Sequence, residues 1–354
     1  MTANPIDWDA AVRAGQRLAP RGPRVTPSEA RAVVKDLRSF ATVAEGRVRE
    51  TTGLGLDLPI ADAEVLDRRG WIAASAEGMA LLTKPLTDRL GATEFGAVEF
   101  GATAAGSQVG ILLGYLSGRV LGQYDPVGGQ REPSEHSGRL LLVAPNVVKV
   151  EREIGAAPAD FRLWVCLHES THRLQFTAVP WMADYFRSLV ADYASVAPTD
   201  SAEVLRRIGS VITGRGDTAR EAPGTVGDSW LRRIQTPEQQ RVFDSVMALM
   251  TLLEGHADYV MDAVGPAVVP SVDEIRAAFT ERRRKGRGPL DRMIRSLLGM
   301  DAKLAQYARG AAFVRVVVER VGMARFNEVF TSPDTLPTVR EIDDAPAWIG
   351  RVLG

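Results

Sequence analysis

The chain has 354 residues, 45% hydrophobic and 25% charged, with a formal net charge of −1, which is the balance of an ordinary globular protein of one large domain or two smaller ones. Near-neutral charge gives no global pull toward nucleic acid or an anionic membrane, so neither is expected as a partner. The single cysteine, Cys166, excludes an intrachain disulfide framework, and the N-terminal MTANPIDWDAAVRAG lacks the apolar run of a secretory signal, so a reducing, cytoplasmic setting is expected.

Residues 1–90 read as a helical region. Thr26-Pro27-Ser28-Glu29 forms a capping box, with Pro27 at the first helical position, ahead of ARAVVKDLRSFATVAEGRV. A short helix is expected over Ala61–Asp67 and a longer one over Trp71–Leu86. Phe95–Tyr124 is apolar and rich in small residues, but Glu99, Gln108, Arg119 and Gln123 interrupt it before about 18 apolar residues accumulate, so it is not a membrane span. Its Gly and Ala content suits a buried helix packed closely on another. Asp125-Pro126-Val127-Gly128-Gly129 breaks the chain, and His136 falls in the polar loop that follows, where a solvated role is expected.

Arg139–Glu151, RLLLVAPNVVKVE, is the best strand candidate, with Pro145 suggesting an edge or a break. An exposed edge there would suit strand addition by an extended peptide; a plain core strand or hairpin is the alternative. Pro158 then opens a helix through Phe176 that contains His168-Glu169-Ser170-Thr171-His172. Histidines four apart share a helix face, so both imidazoles can reach one metal ion, and Glu169 can reach a water on it. With only four histidines in the chain, a chance H-E-x-x-H has a probability of roughly three in a thousand. Cys166 lies about 200° round the helix from His168 and reads as a buried small hydrophobe.

A helix is expected over Pro180–Ser195 and a short one over Ser201–Ser210, followed by a loop. Thr236-Pro237-Glu238-Gln239 is a second capping box; it starts a long buried helix that Gly265-Pro266 stops. Carboxylates in that helix are costly unless they meet a metal or a partner, which makes Glu254, His256 and Asp258 the candidates for a third ligand. Glu254 and Asp258 share a face, so Glu254 would bind the metal and Asp258 would accept a hydrogen bond from the far N–H of a ligand histidine. His256 as sole third ligand remains the alternative. The basic run Glu281–Arg292 reads as a charged helix end, residues 301–321 as an amphipathic helix, and the tail as a loop with a short closing helix. The residues alone thus describe a mainly α protein with a small β-sheet.

HESTH followed by Glu254-Gly255-His256-Ala257-Asp258 resembles the H-E-x-x-H and E-x-x-x-D pattern of gluzincin metallopeptidases such as thermolysin. That resemblance implies His168, His172 and Glu254 as zinc ligands, Glu169 as general base and Asp258 behind them. HESTHRLQF, EGHADYVMD and the LPTVREI tail resemble more closely the zincin-like metallopeptidase type 2 family, mostly actinobacterial proteins sometimes associated with deazaflavin-coenzyme biosynthesis. This implies a zincin-like fold over about residues 95–354, hence an N-terminal region (1–90) and a metallohydrolase domain (91–354) packed as one unit. The third ligand lies 82 residues after His172, farther than in thermolysin, and the tyrosine and histidine that stabilise its transition state have no readable counterpart. Among Tyr307, Tyr259 and His256, Tyr307 is the favoured oxyanion donor, because a later helix could face the metal from the other side.

The expected activity is zinc-dependent hydrolysis of a peptide or amide bond, Glu169 taking a proton from water and passing it to the leaving nitrogen. A non-catalytic scaffold that binds a peptide or partner, and a hydrolase of small amides, are the competing readings. Oligomeric state is not legible.

Overall fold

The structure is a computed structural model that describes residues 6–92, 99–129, 138–195, 236–285 and 300–354. His136, the Ser201–Ser210 helix and the later part of the basic run lie outside the described residues. The chain divides into two compact units: Met1–Arg187 with Ala257–Arg282, and Ser188–His256 with Arg283–Gly354.

The first unit opens with α1 (Trp8–Leu18) and α2 (Pro27–Thr52). The Thr26 hydroxyl accepts from the Glu29 amide and Pro27 sits in the first turn, as the capping box requires. The 61–67 segment is not a helix: Ala63–Leu66 forms strand β1. Pairing along β3 gives the backbone groups of these residues partners that a short isolated helix would not. Next come α3 (Arg68–Ala92), α4 (Glu99–Leu116) and β2 (Gly122–Asp125). Helix α4 packs on α1 at backbone distance, and a Cβ at Gly110 would collide with the Ala11 carbonyl. Its burial is one-sided, because Ile111 on the outer face is 55% exposed.

Strand β3 (Arg139–Val143) is shorter than the apolar run that announced it, and it is the centre of the sheet rather than an edge. The order is β1-β3-β2, with β1 parallel to β3 (Ala63 opposite Leu140) and β2 antiparallel (Gly122 opposite Leu142). Leu140 to Val143 are all buried, as expected of a strand covered on both faces. Pro145 opens helix α5 (Ala144–Ile154), where its missing N–H costs nothing, and Val147, Val148 and Val150 become that helix's buried side. Trp71 and Ile72 of α3, Leu113 of α4 and Leu141 and Val143 of β3 make one core cluster.

Helix α6 (Pro158–Thr177) lies against α2 and the sheet. Two buried ionic groups fasten it. Arg162 makes a two-pronged contact with Glu151 of α5 at 3.0 and 2.8 Å and reaches Asp36 of α2 at 2.7 Å. Arg173 pairs with Glu45 of α2 at 2.7 Å and donates to the Ala61 carbonyl at 2.6 Å, while Arg49 pairs with the same Glu45. Cys166 is buried, with its thiol 3.7 Å from the Leu37 carbonyl; burial, reinforced by the Glu169 charge, pushes its pKa up. Helix α7 (Met182–Ser195) follows. Helix α8 (Pro237–Val264) ends in this unit, and α9 (Val272–Lys285) starts where Asp160 of α6 accepts from both the amide and the hydroxyl of Ser271, at 3.0 and 2.6 Å.

In the second unit, the earlier part of α8 packs on α10 (Met300–Val321). The backbones meet at Gly255 and Gly310, where a side chain on either would strike the other helix. The C-terminal turns and short helices close this unit, with Phe313 edge-on to Trp348 at 5.7 Å and the Trp348 indole donating to the Thr335 carbonyl at 2.8 Å. Among the described residues no helix is long and apolar enough to cross a membrane.

Candidate metal centre

Helix α6 carries His168, Glu169 and His172, and α8 carries Glu254. The i, i+4 spacing turns both imidazoles to one side of α6, so that their Nε2 atoms lie 3.1 Å apart with the rings nearly perpendicular at 88°. One atom each of His168, His172 and Glu254 falls within a 4.8 Å group, and all three side chains are half-buried. Glu254 reaches this point through its own helix: two turns on, Met261 of α8 touches His168.

The far nitrogens have defined neighbours. His172 Nδ1 is 2.9 Å from Gln175 Oε1, and His168 Nδ1 is 3.3 Å from Met261 Sδ. An amide oxygen and a thioether sulfur only accept, so a hydrogen on each Nδ1 satisfies both contacts and leaves each Nε2 to a metal. Two imidazole nitrogens 3.1 Å apart beside a carboxylate are an arrangement that a cation can bridge. Two imidazoles and one carboxylate are also a donor set that holds a catalytic zinc and leaves a fourth position open. The residues present therefore fit a metal ion.

Glu169 is 6% exposed and packs against the edge strand β2. A Cβ at Gly122 would lie 2.6–2.8 Å from the Cγ, Cδ and Oε1 atoms of Glu169, so only glycine leaves room for the carboxylate. Two residues along the same face of β2, Tyr124 tilts against Phe176 of α6 at 5.6 Å. Burial pushes the Tyr124 phenol up to about 12, with the Arg173 charge pulling the other way.

Asp258 lies one turn beyond Glu254, but its carboxylate faces Arg276 of α9 at 3.8 Å, and Arg276 also pairs with Asp262 at 2.7 Å. The guanidinium thus takes the carboxylate expected behind a ligand histidine. His256 is buried in the second unit, stacked on Phe326 at 5.4 Å and edge-on to Phe330 at 5.6 Å, and is not part of the ligand group. Tyr259 is half-buried on α8. Tyr307 lies on α10, and its side chain is outside the described part of the structure. Gly122, Gln175 and Met261 were missed from sequence. Gln175 left a signal, a polar residue one turn after His172 in an otherwise buried helix; Gly122 and Met261 left none.

No curated protein matches the chain. A crystal structure from Chloroflexus aurantiacus, provisionally assigned as a hydrolase with a novel fold, is similar over 98% of each chain, with 32% identity and a TM-score of 0.69. The sequence pattern of the zincin-like metallopeptidase family matches residues 6–349, which include the helix of His168 and His172 and that of Glu254. The chain belongs to the zincin-like metallopeptidase family.

Proposed function

We propose that the protein is a zinc-dependent hydrolase that cleaves a peptide or amide bond, with His168, His172 and Glu254 holding the metal. The observation that carries this reading is the convergence of two imidazole nitrogens and a carboxylate on one point. Family membership supports it, and so does the hydrolase assignment of the Chloroflexus aurantiacus relative.

A bound zinc would supply Lewis acidity and lower the pKa of a water in the site. Glu169 takes a proton from the attacking water as its oxygen bonds to the carbonyl carbon. It then passes that proton to the nitrogen as the carbon–nitrogen bond breaks, so an acid and an amine leave. The absence of a side chain at Gly122 leaves room for the Glu169 carboxylate. Tyr307 is the donor to the developing oxyanion; its helix meets α8 at Gly310 and Gly255, beside Glu254 and one turn after Tyr307 itself. Asp258, paired with Arg276, steadies the helix that carries Glu254.

The test is Glu169→Gln, read with a peptide library and a panel of small amides analysed by mass spectrometry. The wild type should cleave members of one panel, while the variant keeps one zinc per chain and loses turnover by two or more orders of magnitude. Cleavage retained by the variant removes Glu169 from the chemistry. Zinc binding without cleavage of either panel favours a binding scaffold.

A further inference from the structure

We propose that Gln175 is the positioning residue that presents His172 to the metal: its side-chain oxygen holds the ring in the Nδ1–H tautomer and aims Nε2 at the ligand group. The inference rests on the metal reading above and deepens it. The contact is 2.9 Å, from one turn further along the same helix, and Gln175 is fully buried. A buried amide is costly unless its polar atoms are matched, and the imidazole matches its oxygen.

The direction of the amide decides the chemistry. With the oxygen on Nδ1, the hydrogen is there and Nε2 is bare. With the NH2 group on Nδ1, the hydrogen would move to Nε2 and point at His168 Nε2 only 3.1 Å away, which closes the site to a metal. His168 is backed differently, by the Met261 thioether at 3.3 Å. Sulfur is the weaker acceptor, so the contact behind His172 is the stronger of these two. Neither backing group is charged. Orientation is therefore what they supply, with little of the added donor strength that a carboxylate behind the ring would give.

Three variants of the full chain and one spectrum test this. Zinc affinity is measured by competition with a chromophoric chelator for wild type, Gln175→Met, Gln175→Glu and Met261→Leu, with circular dichroism as the check on folding. Gln175→Met keeps the volume and removes the hydrogen-bond acceptor, so it should weaken zinc about 10- to 100-fold. Gln175→Glu restores an acceptor oxygen and should stay within a few-fold of wild type or bind more tightly. Met261→Leu should lose less than Gln175→Met. Independently, long-range proton–nitrogen correlation spectra of the metal-free wild type should show His172 as the Nδ1–H tautomer, and Gln175→Met should give a mixture.

Equal weakening by Gln175→Met and Gln175→Glu, or wild-type affinity in Gln175→Met, would assign Gln175 to packing alone and overturn the proposal. So would an Nε2–H tautomer in the wild type, a result that stands even if a variant fails to fold. Absence of zinc binding by the wild type, with the Nδ1–H tautomer present and lost in Gln175→Met, would overturn the metal reading while leaving the Gln175 contact in place.

Discussion

At Gly122, one absent methyl group decides where a catalytic candidate can stand: the Glu169 side chain occupies the space that any Cβ would take. The same face of β2 carries Tyr124, whose burial gives a measurable consequence. An ionised phenolate is poorly solvated there, so the neutral form is favoured and the pKa rises from its ordinary 10 to about 12. The unfolded chain loses that proton near pH 10 while the folded chain keeps it. Between pH 10 and 12 the folded state therefore binds more protons, and stability falls as pH rises through that window. The contribution is fully present below pH 10. In a native phenolate absorbance titration, Tyr124 should ionise later than the exposed tyrosines, and Tyr124→Phe should remove that late phase. A Tyr124 that titrates with the exposed tyrosines would contradict the burial described here.

Helix α6 is fastened by buried ion pairs as well as by apolar packing, and these pairs were the least legible part of the chain. The H-E-x-x-H spacing, the capping boxes and the stop at Gly265 follow from local rules and could be read directly, because each depends on residues within a turn or two of one another. The pairing of Glu45 with Arg173 depends on a contact between residues far apart in sequence, and nothing local announces it; Arg49, one turn on in the same helix, joins that pair. The same limit explains Arg139–Glu151. RLLLV is a strand because it gains partners on both sides, and the more β-branched stretch after Pro145 is nonetheless a helix, with that proline in its first turn. It also explains Asp258: helical spacing placed it on Glu254's face, but Arg276, which claims it, lies in another helix. The Glu45 cluster can be tested at this scale. Glu45→Ala would leave two buried guanidinium groups without their shared carboxylate, at a cost of about 3–5 kcal/mol in urea unfolding. Glu50→Ala, which removes the exposed partner of Arg47, should cost close to nothing. Comparable losses in the two variants would show that the buried cluster does not hold α6.

For the whole molecule, the proposed metal ligands come from two helices, and Glu254 lies 82 residues after His172. An ion that binds all three engages the folded chain and finds no such arrangement in the unfolded one. Binding must then stabilise the fold by RT ln(1 + [L]/Kd), about 2.7 kcal/mol when free zinc is 100 times Kd. The midpoint of thermal unfolding should therefore rise with zinc and fall back with a chelator. Because the effect comes from ligation and not from charge alone, magnesium at the same concentration should not reproduce it; that ion prefers oxygen donors. His168→Ala and His172→Ala should each abolish most of the shift. Glu254→Ala should reduce it, since two imidazoles remain. Glu169→Gln should keep all of it, because Glu169 is not among the residues grouped to hold an ion. This ordering separates ligand from base without a known substrate: a zinc shift that survives loss of both histidines would move the metal elsewhere, and one that disappears with Glu169→Gln would make Glu169 a ligand.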